Sequence, residues 1–426
     1  MVRFISVALV VAILATFLLA LQRFVVNIPS YDDYAATLIF IKLHYFENHD
    51  AVEKFRALFV PHGEHYIVIS RLSAAIAYMS TGTINFSALV WYQNLYLVGV
   101  FGLIIQLIRQ QHIPLFPILI PVTSFLFSLS FWQVSFYYWG GVQYYAVFFF
   151  SFLALYNLEK ATPNNRIPFF YSICLATLSI LSFGNGIIVL PVGFFLLAVQ
   201  RKSGYLWAWT GFSILCIGLF LSGFHPSFSS KPAFNPEWMS RLFFTYLGSF
   251  LYVNPVSQFW RNVNILLCYA TGLGVFALWL RLLLKGYAFR QPLLYCLLSF
   301  PILTGALIAL ARFDTKAAGG IAPRYQFFSQ CIPLFLLLIF YKYVATTHKD
   351  ALKPIIAISL IVWGLSFWNN WQAAEQNTVS IAQTIKDWQK SNKSPLVYYN
   401  HDPAYSVALT WALNYGIYKL PPDIHK

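Results

Sequence analysis

The sequence predicts an all-α membrane protein that crosses the bilayer many times. Apolar residues make up 59% of the 426 residues and charged residues only 10%. A soluble domain is about 45–50% apolar and about 25% charged, so this chain lacks the charged surface of a soluble enzyme, a coiled coil or a disordered protein. Its apolar segments are continuous runs, which indicate helices rather than the alternating strands of a membrane β-barrel.

Eleven apolar segments approach the length of about 20 residues that a membrane-spanning helix needs. The first is interpreted as a retained span, because no convincing signal-peptide cleavage site follows it. The predicted spans cover residues 4–22, 86–108, 114–133, 142–158, 167–183, 186–200, 205–223, 263–282, 292–311, 325–344 and 354–370.

A twelfth apolar segment, residues 65–79, carries Arg71 near its middle. A charge at the bilayer centre costs about 2.5–3.5 kcal/mol on insertion scales. We therefore predict a helix that lies on the outer membrane surface, within an outer loop that covers residues 23–85.

The basic residues predict the orientation of the chain. Net charge is +14, and no basic run with interleaved aromatic residues points to nucleic acid as a partner. Short connections between spans carry cations such as Arg109, Lys160 and Lys285, which places them and the N-terminus in the cytoplasm. Nearly all acidic residues then fall on the outer face, and the spans lack mid-membrane charges. Any chemistry is therefore expected at the outer face.

The C-terminal tail is more polar than the spans. We predict a membrane domain over residues 1–370 and a small outer-face cap over residues 371–426. Within the cap, the pattern favours an amphipathic helix at 372–390, a short strand at 396–399 and a second helix at 405–418.

Two adjacent carboxylates, Asp32 and Asp33, directly follow the first span. Carboxylates at a membrane interface are costly unless they are hydrated, paired or used. One interpretation is a helix N-cap at Ser30 or Asp32. The other is a general base or a pair that holds a divalent cation, and the two interpretations are compatible.

Two histidines flank a glutamate in the same outer loop, as His62, Glu64 and His65, and Arg71 follows on the next helix. Such a set can hold a metal or relay a proton. Because the spacing is not that of an HExxH zinc motif, we favour a hydrogen-bonded polar cluster that shapes a site.

An aromatic and glycine-rich stretch, with Trp139 and Gln143, lies between two spans. It is either an interfacial aromatic belt or a ligand contact, since glycines let a backbone approach a ligand closely and Trp faces stack on sugars. Asn185 lies in a predicted tight outer turn, residues 182–186.

Three cations, Arg312, Lys316 and Arg324, lie in one short outer loop, against the orientation rule. They either snorkel to lipid headgroups or bind a phosphate, for which arginine offers a planar fork of donors. Tyr325 is placed to share a ligand oxygen with Arg324, and two adjacent glycines are expected to let the loop fold over a headgroup.

Together these motifs resemble a family of bacterial multi-span glycosyltransferases of the GT-C type. Its members commonly carry an acidic pair after the first span, an HNEHR-like motif, a WGFQ-like motif and a late SRY-like motif. The matching stretches here are residues 32–33, 62–65, 139–143 and 323–325, and the resemblance covers most of residues 1–345. The chain departs from the pattern at Gly63 and Tyr66, and by an extra glycine between Trp139 and Gln143.

The resemblance implies a GT-C-like enzyme in the bacterial cytoplasmic membrane. It would move a sugar from a polyprenyl-phosphate donor to a glycan or lipid acceptor at the outer face. Asp32 or Asp33 would accept the acceptor proton, and direct displacement would invert the anomeric centre. Cations would stabilise the leaving phosphate, and the candidates are Arg324, Arg312, Lys316 and Arg71.

The remaining motif residues receive supporting roles in this hypothesis. His62, Glu64 and His65 would orient the base or acceptor, while Trp139 and Gln143 would contact sugar. No cofactor is predicted, although a divalent cation at the acidic pair is an alternative. A lipid-linked glycan transporter or polymerase is the second hypothesis, and a non-catalytic scaffold is the third.

Overall fold

The computed structural model describes residues 2–63, 65–222, 233–342, 349–392, 394–397 and 402–421, and these residues form helices and connections without a strand. Two π-helical segments, Tyr34–Ile39 and Lys42–Phe46, follow the first helix. The α-helices are α1 Val2–Phe24, α2 Ala51–Leu58, α3 Val68–Thr81, α4 Phe86–Gln110, α5 Leu115–Leu126, α6 Trp132–Phe136, α7 Tyr138–Lys160, α8 Ile167–Ile180, α9 Val189–Val199, α10 Ser203–Ser222, α11 Pro236–Gly248, α12 Gln258–Leu284, α13 Tyr287–Arg290, α14 Pro292–Arg312, α15 Lys316–Gly320, α16 Pro323–Phe340, α17 Leu352–Lys390 and α18 Pro403–Asn414.

Eight helical segments in the described part of the chain are long and apolar enough to cross a membrane. They include α1, α4, α7, α10, α12 and α17, together with the stretches Leu115–Phe136 and Pro292–Gly320. The other three predicted spans also fold as helices. However, α8 and the segment Gly184–Val199 are short, and α16 carries Arg324, Gln326 and Gln330 along its 18 residues. The count of eleven therefore stays a prediction.

Helix α7 occupies the centre of the bundle. It packs against α4, α8 and α9, and α14 and α16 contact it as well. Most of its side chains are buried, including Tyr145, Phe148 and Phe152. By contrast, α10 and α12 present large apolar side chains outward, as expected for helices that face lipid.

A second hydrophobic core joins the outer loop to the C-terminal tail. It contains Tyr34, Leu38 and Ile41 from the loop and Leu409 and Trp411 from α18. The rings of Tyr34 and Tyr405 stack with centroids 5.4 Å apart. The tail therefore covers the polypeptide that carries the acidic pair.

The last long helix differs from the prediction. The sequence predicted a span that ends at residue 370 and a separate helix at 372–390, whereas α17 runs through both as 39 continuous residues. No Pro or Gly interrupts residues 365–390, so nothing in the local chemistry breaks the helix. At about 1.5 Å per residue, α17 is long enough to cross a bilayer and extend well beyond it. The predicted second tail helix is α18, whereas part of the predicted strand lies outside the described residues.

The outer-loop helix that carries Arg71 is α3, and it packs against α7. The hydroxyl of Tyr138 donates a 2.6 Å hydrogen bond to the Ser70 carbonyl. Arg71 itself is buried, with only 7% of its surface exposed. The prediction of a helix outside the bilayer core remains compatible with this arrangement, but the arginine points into protein rather than toward lipid headgroups.

The loop between α14 and α16 is packed rather than free, which corrects the expectation that its two glycines provide mobility. Residues 313–315 form a 3₁₀ turn and α15 follows directly. A Cβ on Gly320 would lie 2.7 Å from the carbonyl oxygen of Leu242 on α11. Gly319 and Gly320 are therefore needed for close helix packing, not for flexibility.

Candidate functional site

The site is built on a break between α6 and α7. Tyr137 is extended at this break, with φ −125° and ψ 132°. Two buried amides of α4 bond backbone carbonyls at this break. Gln93 donates to Val134 at 2.9 Å and to Tyr137 at 3.3 Å, and Asn94 donates to Ser135 at 2.9 Å. Because backbone groups at membrane depth need protein partners, these amides fix the start of α7.

The close approach of the Gln93 amide to the α6–α7 break requires a glycine at position 141. A Cβ at this position would lie 1.9 Å from Nε2 of Gln93 and 2.3 Å from the carbonyl oxygen of Val134. We expected the glycines of this motif to let a ligand approach. For Gly141 the group that approaches is the protein's own amide, whereas a Cβ on Gly140 would meet nothing closer than 3.8 Å.

The two adjacent carboxylates occupy different environments. Asp33 is 1% exposed, and its Oδ2 accepts hydrogen bonds from the backbone N–H of Ser30 at 3.0 Å and from the Ser30 hydroxyl at 3.4 Å. Burial raises the pKa of Asp33 well above its usual value, and the Asp32 charge adds to the rise. The backbone N–H groups of Ser30 and, more weakly, Trp139 oppose it.

The predicted helix N-cap at Ser30 or Asp32 is wrong. The first π-helical segment begins after Asp33, whose side chain makes no capping hydrogen bond. Instead the chain forms a turn at Tyr31, which adopts a left-handed φ of 52°. The Asp33 carboxylate accepts its hydrogen bonds from Ser30, which precedes this turn. This turn separates the two acids and leaves Asp32 partly exposed.

Asp32, Arg312 and Arg324 lie near enough to Tyr144, a residue of α7, for their charges to act on its hydroxyl. The ring of Tyr325 lies 6.4 Å from that of Tyr144, centroid to centroid. The loop after α1, α7, the end of α14 and the start of α16 therefore each contribute a residue to the neighbourhood of Tyr144.

The two arginines near Tyr144 come from neighbouring helix ends. Arg312 ends α14 and Arg324 is the second residue of α16, and both are partly exposed. The guanidinium carbon of Arg324 lies 5.0 Å from the centre of the Tyr325 ring. The planar guanidinium group suits a cluster of phosphate oxygens.

Two further cations that we assigned to the phosphate have partners within the protein. Lys316 is exposed, and its ammonium sits 4.1 Å from the ring centre of Trp238 on α11. Arg71 donates to the carbonyls of Ala57 and Val60 at the end of α2 and lies over the Phe40 ring. Burial lowers the pKa of Arg71 to about 10, so it remains charged at neutral pH and serves the outer loop.

The two histidines pair through their backbones. His62 N–H donates to the His65 carbonyl at 2.8 Å, and the reverse bond is 3.2 Å. Burial lowers the pKa of His62, Arg71 lowers it further, and Asp32 opposes both. The lowered pKa of His62 favours its neutral imidazole form. Glu64 lies outside the described residues.

His65 belongs to a separate contact with the predicted outer turn. Its ring centroid lies 4.5 Å from that of Phe183. The next residues form a 3₁₀ turn, Gly184–Ile188, which contains Asn185. The amide of Asn185 donates to Thr304 at 3.2 Å, while its Oδ1 is buried and accepts no hydrogen bond among the described residues.

Trp139 offers two features to a ligand, an aromatic ring face and an indole N–H. Its ring centroid lies 5.3 Å from that of Tyr31. Its indole Nε1–H is buried and has no hydrogen-bond partner within the described ranges. Gln143, also predicted, is buried one turn further along α7. Buried polar groups are normally bonded, whereas the indole donor of Trp139, the amide oxygen of Asn185 and Oδ1 of Asp33 have no hydrogen-bond partner among the described residues.

Sequence reasoning missed the contribution of α17. Asn377 accepts a 2.7 Å hydrogen bond from the Tyr31 hydroxyl and donates one of 2.6 Å to the Tyr137 hydroxyl. The alternation of polar residues along 372–390 indicated an amphipathic helix, but no motif marked Asn377. Tyr144 was also missed, although it directly follows Gln143 in the predicted motif.

The described residues contain no group of three or more His, Cys, Asp or Glu side chains that could hold a metal ion. A divalent cation at Asp32 and Asp33 would therefore need ligands from substrate or water, and it stays a hypothesis. No protein-family model, no curated protein and no solved structure matches this chain. Its apolar helices are compatible with a multi-pass membrane protein.

Proposed function

We propose that this protein is a membrane glycosyltransferase that moves a sugar from a polyprenyl-phosphate donor onto a glycan or lipid acceptor. The observation that carries the proposal is that one carboxylate, Asp32, and two guanidinium groups, Arg312 and Arg324, all lie near enough to Tyr144 for their charges to act on it. Displacement of a phosphate leaving group requires a base for the nucleophile and cations for the departing charge.

In the proposed reaction, Asp32 accepts the proton of an acceptor hydroxyl as that oxygen bonds the anomeric carbon of the sugar. The bond from this carbon to the phosphate oxygen breaks, and its electron pair leaves with polyprenyl phosphate. Arg312 and Arg324 stabilise the growing charge, and Tyr325 contributes a hydroxyl beside them. A single direct displacement inverts the anomeric centre.

The burial of the two acids supports the choice of Asp32 over Asp33 as the base. Asp33 is enclosed by protein, and its raised pKa favours the neutral form. Asp32, by contrast, is partly exposed and is the more accessible of the two carboxylates. We assign Asp33 instead as a positioning residue that holds the turn of Ser30 and Tyr31, and thereby presents Asp32.

The remaining site residues receive supporting roles. The buried, unbonded indole donor of Trp139 and amide oxygen of Asn185 are proposed sugar contacts, with Gln143 beside them. The neutral imidazole of His62 orients Asp32, and His65 supports the turn that carries Asn185. We retain Glu64 as a member of this cluster.

The contact between the tail and the first outer loop supports an odd number of membrane crossings. The Tyr418 hydroxyl donates a 2.5 Å hydrogen bond to the Asn27 carbonyl, just after α1, so the tail and the loop after the first span share one side. Eight crossings would separate them. If α16, α8 and the segment Gly184–Val199 also cross, the chain has eleven crossings. The tail and the loop after the first span then lie on the same side of the membrane. We therefore propose a GT-C-like arrangement in the bacterial cytoplasmic membrane, with a cytoplasmic N-terminus and the site outside.

Purified protein incubated with a panel of polyprenyl-phosphate sugars and cell-envelope glycan acceptors tests the proposal. Release of polyprenyl phosphate together with labelled acceptor is the expected result. Movement of a labelled lipid-linked glycan across proteoliposomes, without release of polyprenyl phosphate, would instead favour the transporter.

A further inference from the structure

A cavity of about 90 Å³ lies beside the acidic pair, between the first outer loop and the upper part of α17. Ser30, Tyr31 and Tyr34 line its loop side. Asn377, Ser380 and Thr384 line its helix side, and short apolar side chains complete the wall. A water molecule needs roughly 10–15 Å³ of such volume, so the cavity holds several waters or the hydroxyl-bearing edge of a ligand.

The chemistry of this wall is uncharged. Its polar groups are hydroxyls and one amide, and none of the described lining residues carries a charge. Tyr31 and Tyr34 add aromatic surface. Hydroxyls, amides and aromatic rings together match the alternating polar and apolar faces of a neutral sugar, whereas a phosphate or carboxylate would find no cation here.

The wall is held in place by contacts that do not need a ligand. Asn377 bonds both Tyr31 and Tyr137, which ties α17 to the loop and to the break before α7. Tyr34 stacks on Tyr405 of α18, with ring planes 16° apart. A preorganised wall lowers the entropic cost of binding.

The cavity and the arginines are both close to Asp32. Tyr31 lines the cavity and directly precedes Asp32 in the chain, and the charges of Asp32, Arg312 and Arg324 all act on Tyr144. The cavity itself has no arginine among its described lining residues, so the uncharged cavity and the cationic side chains are separate features around one carboxylate.

We propose that this cavity is the acceptor subsite and binds an uncharged carbohydrate, with the C-terminal extension of α17 as a specificity wall. This inference rests on the proposed glycosyltransferase function. It assigns the polar half of α17 a role in choosing the acceptor rather than in binding the lipid donor.

Filling the cavity tests this inference. Thr384→Trp places a large side chain in the cavity, and Val379→Trp, on the exposed face of the same helix, is the matched control. In nanodiscs, saturation-transfer NMR with methyl glucoside, methyl mannoside and methyl galactoside should show contact with the wild-type protein and with Val379→Trp. The signal should be lost in Thr384→Trp. In turnover assays Thr384→Trp should raise the acceptor KM roughly tenfold or more while leaving the donor KM unchanged, as expected when only acceptor binding is removed.

Two results would overturn the inference. One is the absence of saturation transfer from any neutral glycoside to the wild-type protein. The other is an unchanged signal and acceptor KM in Thr384→Trp. The NMR readout needs no turnover. A wild-type protein that binds glycosides but releases no polyprenyl phosphate would therefore defeat the proposed reaction and leave the carbohydrate site standing.

Discussion

Asn377 donates a 2.6 Å hydrogen bond to Tyr137, a residue 240 positions earlier in the chain. The bond joins the extended end of α17 to the break from which α7 starts. Trp139 follows that break by two residues, and Tyr31, the other partner of Asn377, lies against its ring. The C-terminal segment is therefore a structural part of the site. Substitutions in any of these elements should alter the positions of Asp32 and Asp33.

The buried acid predicts a pH-dependent stability. Burial raises the folded-state pKa of Asp33 above its ordinary value of 3.8, so the folded protein binds this proton more tightly than the unfolded chain does. The resulting stabilisation is complete below that ordinary value and is lost as the pH rises through the raised folded-state pKa. Asp33→Asn keeps a neutral group of similar shape, so its melting temperature should fall less than that of the wild type as pH rises.

Thermal unfolding in detergent between about pH 4 and about pH 8 measures this difference. Asp314→Asn, at an exposed aspartate, serves as the control and should follow the wild-type curve. Parallel curves for Asp33→Asn and the wild type would show that Asp33 does not bind its proton more tightly in the folded state.

The contact of Gly141 with Gln93 predicts a packing defect. Gly141→Ala would place a methyl group 1.9 Å from an amide that already bonds the α6–α7 break. Overpacking typically costs about 1–3 kcal/mol, so the variant should melt at lower temperature and lose turnover. Gly102→Ala lies on the exposed face of α4, with no atom within 4 Å of the new Cβ, and should be neutral or slightly stabilising. Equal melting temperatures for the two variants would contradict the packing argument.

Arg324 and Lys316 should respond differently to substitution. Arg324→Lys keeps the charge but loses the planar fork, and Arg324→Ala loses both. Turnover should fall in that order, by about 10²–10³ for Ala if one transition-state donor is removed. Lys316→Ala should change turnover little, because its ammonium lies over Trp238. If Arg324→Ala retains full turnover at limiting donor, Arg324 has no part in the mechanism.

The shared side of the tail and the first loop predicts a labelling pattern. In a cysteine-free background, Val407→Cys on α18 should react with a membrane-impermeant maleimide added to intact spheroplasts. Ser203→Cys, at the start of α10, should react only after permeabilisation. Both side chains are exposed, so access depends on sidedness. Protection of both cysteines in intact spheroplasts would place the tail on the same side as Ser203 and contradict an odd number of crossings.

Hydropathy was sufficient to predict the helical class and most helix positions, because burial in lipid or in the bundle requires long apolar runs. The difference between Asp32 and Asp33 was not predictable. The two residues are chemically identical and adjacent, and only the left-handed turn at Tyr31 decides which carboxylate is enclosed. Such a turn depends on the tertiary contacts of Tyr31 with Asn377 and Trp139.

The sequence was equally unable to show which of the candidate cations bind a phosphate. Arg324 and Arg312 were the first candidates for a phosphate, with Lys316 and Arg71 as additional ones, because all four lie on the predicted outer face. Their partners separate them: backbone carbonyls of α2 hold Arg71, and Trp238 holds Lys316. These partners are distant in sequence from Arg71 and Lys316. Local sequence patterns therefore could not identify which cations are already bound within the protein.

The most direct test of the central claim is the single-turnover rate of polyprenyl phosphate release, measured across a panel of polyprenyl-phosphate sugars for the wild type and for Asp32→Asn. If Asp32 is the base, wild-type protein should release polyprenyl phosphate from at least one donor, and Asp32→Asn should be slower by roughly 10²–10⁴ with an unchanged melting temperature. Lys316→Ala, measured alongside, should match the wild type. Equal rates for Asp32→Asn and the wild type, or no release from any donor by the wild type, would contradict the account.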